Sequence, residues 1–144
     1  MANLPEIRAA LIKTIQENVD PELNLWGYEY LEEVTQLPCI IAEPDAGHFD
    51  GAMQNGLHTY PFRLYVLVSR NTGAGFGQQI LDQLVGGYGP NSINEILREH
   101  SDLDMVEECD AHCVGFEQYG GALDMAGIAH IGAIMLITVR VRGY

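Results

Sequence analysis

The sequence predicts an α+β fold: a mostly antiparallel β-sheet with two to three helices packed on one face and a long glycine-rich β-hairpin loop. Three observations lead there. Apolar residues recur at helical spacing in some stretches and alternate residue by residue in others. The order reads α-β-β-β-α-α-β-β, without the regular β-α alternation of a parallel sheet. Glycine and proline clusters separate the segments. A chain of 144 residues is long enough to bury one core, so a single domain over 1–144 is expected.

Asn3 is placed to cap a first helix over about 4–17, with Pro5 in its first turn and Leu4, Ile7, Leu11 and Ile15 along one side. The segment ENVDPELN ends it. LWGYEYL, from Leu25, reads as a short strand, and LPCIIA, Leu37 to Ala42, as a second whose early Pro38 suits a strand start. The following stretch, EPDAGHFDGAMQNGLHTY, with Gly47, Gly51 and Gly56, reads as a long loop, a length that usually marks function. Tyr60 to Ser69 is a strong strand. Tyr60, Phe62, Leu64, Val66 and Val68 share one face; Pro61, Arg63, Tyr65 and Leu67 form a mixed second face, expected to be partly covered or at an interface.

A second helix is expected over about 74–86 on the stripe Phe76, Ile80, Leu81 and Leu84, broken by GGYGPN. Ser92 and Glu95 have capping-box spacing and open a short third helix over about 92–100. Met105 to Gln118 reads as a strand in part, YGGALDMAG as a turn, and Ala129 to Arg142 as the last strand, the two forming an antiparallel hairpin.

Twenty acids face seven bases, a net charge of −13. No base lies between Lys13 and Arg63 or between Arg98 and Arg140. Nucleic-acid binding rests on Lys and Arg replacing counterions, so a DNA-wrapping role is excluded. The acids serve solubility, repel DNA or dock a basic partner. No apolar run approaches the roughly 20 residues of a membrane span, and the N-terminus lacks a signal-peptide pattern, so folding in a cytoplasm is expected. Cys39, Cys109 and Cys113 are then most simply free thiols.

Candidate chemistry is thin. Gly73, Gly75 and Gly77 follow a strand and precede a helix, the order of a phosphate-binding loop. Their G-x-G-x-G spacing is not that of the dinucleotide fingerprint, no parallel β-α-β unit follows, and the P-loop lysine is missing. Cys109, His112 and Cys113 supply soft metal ligands, but on a strand His112 points away from both cysteines. A cysteine nucleophile would need a distant His48, His58, His100 or His130. Arg140 and Arg142 are candidates to hold an anion or, as residues of an end strand, to be solvated or meet acids across an interface.

The order of these stretches resembles a family: LPCIIAEP before a glycine loop, then TYPFRLYVLVSR, a helix ending QQILDQL, the break GPNSINEIL, and VGFEQYG followed by HIGAIMLITVRV. The chain resembles, over nearly its full length, the tail terminator proteins of long-tailed bacteriophages, especially the siphophage type, which complete the tail and join it to the head. The resemblance implies a homohexameric ring that caps the tail tube, ends its polymerisation and meets the head connector or stopper, while genomic DNA passes through the lumen without sequence-specific binding. It implies a virion protein at the head–tail junction, assembled in the host cytoplasm, with no catalysis, cofactor or metal. His48, Phe49, Asp50, Met53, Asn55 and Leu57 of the loop, with Tyr65, Arg140 and Arg142, are then the candidate contacts with the tube or neighbouring subunits. The mixed face of residues 60–69 and the apolar strand 128–141 are expected to supply ring surfaces, since a ring needs two complementary patches. The alternatives are a head-side connector (stopper or adaptor), a small nucleotide-binding or enzyme domain using Gly73–Gly77, and an ordinary cytoplasmic dimer.

Overall fold

Two thirteen-residue strands, β4 (Leu57–Ser69) and β6 (His130–Arg142), run antiparallel along their whole length at the centre of a six-stranded sheet. In the computed structural model the described residues are 3–30, 36–45, 48–50, 57–69, 73–105, 108–121 and 130–142. On one side of this pair lies β5 (Cys109–Gly121), antiparallel to β6. On the other, β2 (Cys39–Pro44) and then β3 (His48–Asp50) pair with successive parts of β4. β1 (Trp26–Tyr28) lies beside β2 and is parallel to it. The fold is α+β with a mostly antiparallel sheet, as the sequence predicts.

Three helices, α1 (Leu4–Asn18), α2 (Gly73–Val85) and α3 (Ile93–Glu99), pack on one face of the sheet. Their buried residues, among them Ile7, Leu11, Ile15, Leu81, Leu84, Ile93 and Leu97, meet Phe62, Leu64, Val66 and Val68 of β4 and Met135, Ile137, Val139 and Val141 of β6. Each fully buried side chain of this size contributes about 1.5–3 kcal/mol relative to exposure. A smaller cluster of Cys39, Ile41 and Leu67, flanked by Tyr28, Leu37 and Tyr65, occupies the second face.

The caps follow the sequence. Asn3 accepts a hydrogen bond from the Glu6 N–H at 3.0 Å, and Ser92 accepts from the Glu95 N–H at 3.3 Å. The GPNS break holds more than a cap. Gly89 turns the chain at φ +120°, a conformation side chains disfavour. Buried Asn91 receives the Asp20 N–H at 2.7 Å and donates to Gln83 at 3.0 Å, tying the end of α1 to α2. Ser92 Oγ donates to the Gly86 carbonyl at 2.5 Å.

The structure corrects several expectations. ENVDPELN contains a short 3-10 helix, Pro21–Leu23, begun by Asp20 accepting from the Glu22 N–H. The first strand is three residues long and parallel to its neighbour. Residues 43–60 are not one loop: β2 continues to Pro44, β3 pairs with residues 57–59, and β4 begins at Leu57. Glycines weaken the local strand signal there, but from Leu57 onward the ladder to β6 supplies a backbone neighbour at every position. Pro61 is tolerated in this central strand because it lies between the end of β2 pairing at Phe62 and the start of β3 pairing at Thr59. Its carbonyl accepts from the Asp45 N–H at 2.8 Å in that gap. Gly73 to Gly77 form the first turns of α2, in line with the helix expected from about 74. β5 runs to Gly121, through residues expected to turn.

The largest correction concerns the last strand. β6 is central, between β4 and β5, not an end strand, and its apolar face is spent on the helices. It offers no free apolar ring surface on that face.

Gly132 marks how closely β4 and β6 approach: a Cβ there would collide with the Val66 carbonyl oxygen and press on the Leu67 side chain. Gly132→Val is therefore expected to destabilise the protein by about 1–3 kcal/mol, read as a lowered urea midpoint. An unchanged midpoint would show that the ladder is looser than described.

Candidate functional site

The β4–β6 register brings most of the candidate contact residues to one end of the sheet. His48 is in register with Thr59, Thr59 with Arg140, and Arg140 with Asp110, a row across β3, β4, β6 and β5. The next row is Asp50, Leu57 and Arg142. Phe49 lies opposite His58, which is opposite Val141. Thus residues distant in sequence form one strand-built edge. Met53 and Asn55 lie outside the described residues.

The arginines of this end differ. Arg142 is half-buried; its Nε lies 2.9 Å from Glu108 Oε2, and its N–H donates to the Glu108 carbonyl at 3.0 Å. It is committed to its own chain rather than poised for an external anion. Arg140 is exposed, opposite exposed Asp110, so a row of opposite charges crosses the β5–β6 pair.

Tyr65 does not belong to this end. It lies six positions along β4 from Thr59, about 20 Å away, between Ile41 and Ile134. Burial, then the neighbouring Glu43 carboxylate, hold its hydroxyl above the ordinary phenol range. Beside it Arg63, in register with Glu43, reaches across β6 to Glu117 of β5, with Nη2 2.6 Å from Oε1. The two side chains are 31% and 42% exposed, so the pair contributes little free energy. It does link two strands that share no backbone ladder. The mixed second face thus proves partly covered and internally paired. Neither Asn91 nor the Arg63–Glu117 pair was legible in sequence: both depend on which strands and turns meet.

The alternative chemistries find little. Cys109 and Cys113 pair with Val141 and Ile137 and pack toward the helices, whereas His112 pairs with Thr138 on the other face. This is the divergence expected from strand parity. No group of three or more metal-ligating side chains occurs among the described residues. Burial pushes the Cys39 thiol up to about 12 and raises Cys113, so neither is an activated thiolate. β4 leads through α2 and α3 to β5, which runs in the same direction but is separated from β4 by the antiparallel β6, so Gly73–Gly77 open a split crossover rather than the adjacent parallel β-α-β unit of the dinucleotide fingerprint. No helix among the described residues is long and apolar enough to cross a membrane.

The class defined by this geometry is an α+β protein with a mostly antiparallel sheet and a strand-built end. No protein-family model and no curated protein matches the chain.

The raised thiol and phenol groups give a signed pH dependence. Cys39 stays protonated in the folded protein to about pH 12 but ionises near 9.0 when unfolded. The unfolded state therefore releases a proton first, and the stabilisation present below pH 9 is lost as pH rises toward 12. Tyr65, and Tyr119 through its hydrogen bond to Asp82, act in the same direction. Urea midpoints measured from pH 8 to pH 11 are expected to fall, and to fall less steeply for Cys39→Ala. Parallel slopes would contradict the buried, protonated thiol.

Proposed function

We propose that the chain is a structural subunit of a long-tailed bacteriophage particle, a tail-terminator-like protein. In this reading it closes the tail tube as a ring, ends tube growth and joins the tail to the head connector. The observation that carries the reading is the sheet end formed by β3, the start of β4, the end of β6 and the start of β5. There β3 and a charged row are held by backbone ladders to the long central strands. A docking surface needs a rigid support of this kind beneath its contacting segments. The quoted sequence stretches that resemble the tail terminators support the same role.

The acidic balance fits a ring through which DNA passes. Four of the bases, Lys13, Arg63, Arg98 and Arg142, lie within 4.0 Å of carboxylates of their own chain. Exposed Asp20, Glu22, Glu99, Asp102 and Asp104 have far fewer bases to balance them. Such a surface repels phosphate and keeps moving DNA from adhering. His48, Asp50, Leu57 and Arg140 belong to the proposed contact end, with Arg142 held to Glu108 beside them and with β3 and the start of β4 directed at the tube.

The decisive test is a phage in which the gene for this chain is disrupted. Electron microscopy is expected to show filled heads beside overlong or unjoined tails, and the purified protein is expected to cap isolated tail tubes. Normal tails with DNA-leaking heads would point to a head-side stopper, and wild-type particles would overturn the reading. Arg140→Glu, which sets like charges opposite each other beside Asp110, is expected to reduce tail joining while costing roughly 0.2–1 kcal/mol of stability.

A further inference from the structure

The outer edge of β5 combines three features that the proposed contact end does not use. First, it is a long terminal strand: among the described residues no strand pairs with its outer side, and its Ala111 N–H is taken by the Ser101 carbonyl at 2.8 Å. Second, it carries exposed apolar bulk. Val114 is 66% exposed, Phe116 52% and Tyr119 40%, with Tyr88 of the neighbouring α2–α3 turn at 84%. Third, a cleft of about 180 Å³ opens beside it, with Val85, Gly87 and Asn94 on one wall and Cys113, Val114 and Phe116 on the other.

The irregularity between Cys113 and Gly115 explains how cleft and edge come together. Val114 has no partner on β6, and the shift turns Phe116 toward the gap beside α2 and α3 while Glu117 goes to the opposite face and meets Arg63. Soluble proteins usually blunt such an edge with lysine or proline. β5 has neither; its only charged residues are the acids Asp110 and Glu117. A bare edge with an adjacent side-chain cleft is the arrangement that accepts an added strand, with main-chain hydrogen bonds giving affinity and the cleft giving selectivity.

Charge selects the occupant. Exposed Asp110 lies on β5 itself opposite Arg140, exposed Asp82 of α2 accepts the Tyr119 hydroxyl, and the chain as a whole carries −13. No base occurs between Arg98 and Arg140, so the edge has only acidic neighbours along its own strand. A second copy would bring another −13 to this edge. A strand that alternates apolar and basic residues is attracted to the frame and fills the cleft.

We propose that the Cys113–Glu117 edge of β5 and its cleft form a β-augmentation site for an extended basic, apolar-alternating segment of a different protein. The site is independent of the ring reading and stands or falls without it. A fluorescent ten-residue peptide of alternating valine and arginine serves as the probe, with the serine–arginine peptide of equal charge as control. Fluorescence anisotropy on the full chain is expected to show at least tenfold tighter binding of the valine peptide. The double variant Val114→Ser/Phe116→Ser should reduce the two peptides to parity, whereas Trp26→Ser, at the far edge of the sheet, should retain the preference. Hydrogen exchange on the wild-type protein gives a second readout that needs no variant: the valine peptide should protect amides 113–117. Equal binding of the two peptides, a preference that survives the double variant, or protection elsewhere would overturn the proposal. So would a wild-type oligomer that Val114→Ser/Phe116→Ser dissolves, since the edge would then belong to a second copy.

Discussion

The continuous antiparallel ladder between β4 and β6 is the constraint on which the rest of this structure depends. Register in such a pair has a period of two, so a slip of one residue would turn every side chain to the wrong face. With Leu64 opposite Met135 and Val66 opposite Ala133, the apolar sets of both strands face the helices together. The same register leaves Arg63, Tyr65 and Ile134 on the second face and carries Arg140 and Arg142 to the end where β3 joins. Gly132 lets the two backbones lie close at the opposite end. Core, second face and candidate contact end are thus three consequences of one pairing.

The helical layer is secured by a different kind of interaction. α1 and α3 meet over the sheet, but the link between the end of α1 and the α2–α3 turn is polar, through Asn91 with the Asp20 N–H and Gln83. Buried amides of this kind must find partners, and once satisfied they fix one geometry where apolar packing would accept several. The Arg63–Glu117 pair acts similarly on the second face, joining β4 to β5 across β6. Sheet and helices are therefore held by broad apolar contact, and their relative placement by a few specific polar contacts.

Much of this was legible in the residues. The Asn3 and Ser92 caps, the α1 stripe and the two faces of the 60–69 strand follow from local rules, and the structure agrees with them. Strand parity also separated His112 from Cys109 and Cys113. What local rules did not give was sheet order. The last strand's place in the sequence suggests an end strand, although Ile134 and Leu136 make its second face apolar too, the signature of a strand with neighbours on both sides, and β6 is central. Conversely, the exposed Val114 and Phe116 belong to the true edge. β3 was missed because three residues among glycines carry too little pattern, and it forms only where β4 offers it a partner. Tyr65 shares a mixed face with Arg63, which alone points to a contact role, and the register sets it well away from the contact end.

Residue-resolved hydrogen exchange under native conditions measures the central ladder most directly. If β4 and β6 organise the fold, the slowest amides are those of Leu64, Val66, Met135 and Ile137, exchanging only with global unfolding, while the outer amides of β5 exchange by local opening. Exchange of the β6 amides at the rate of the β5 edge would contradict the central place given to that strand.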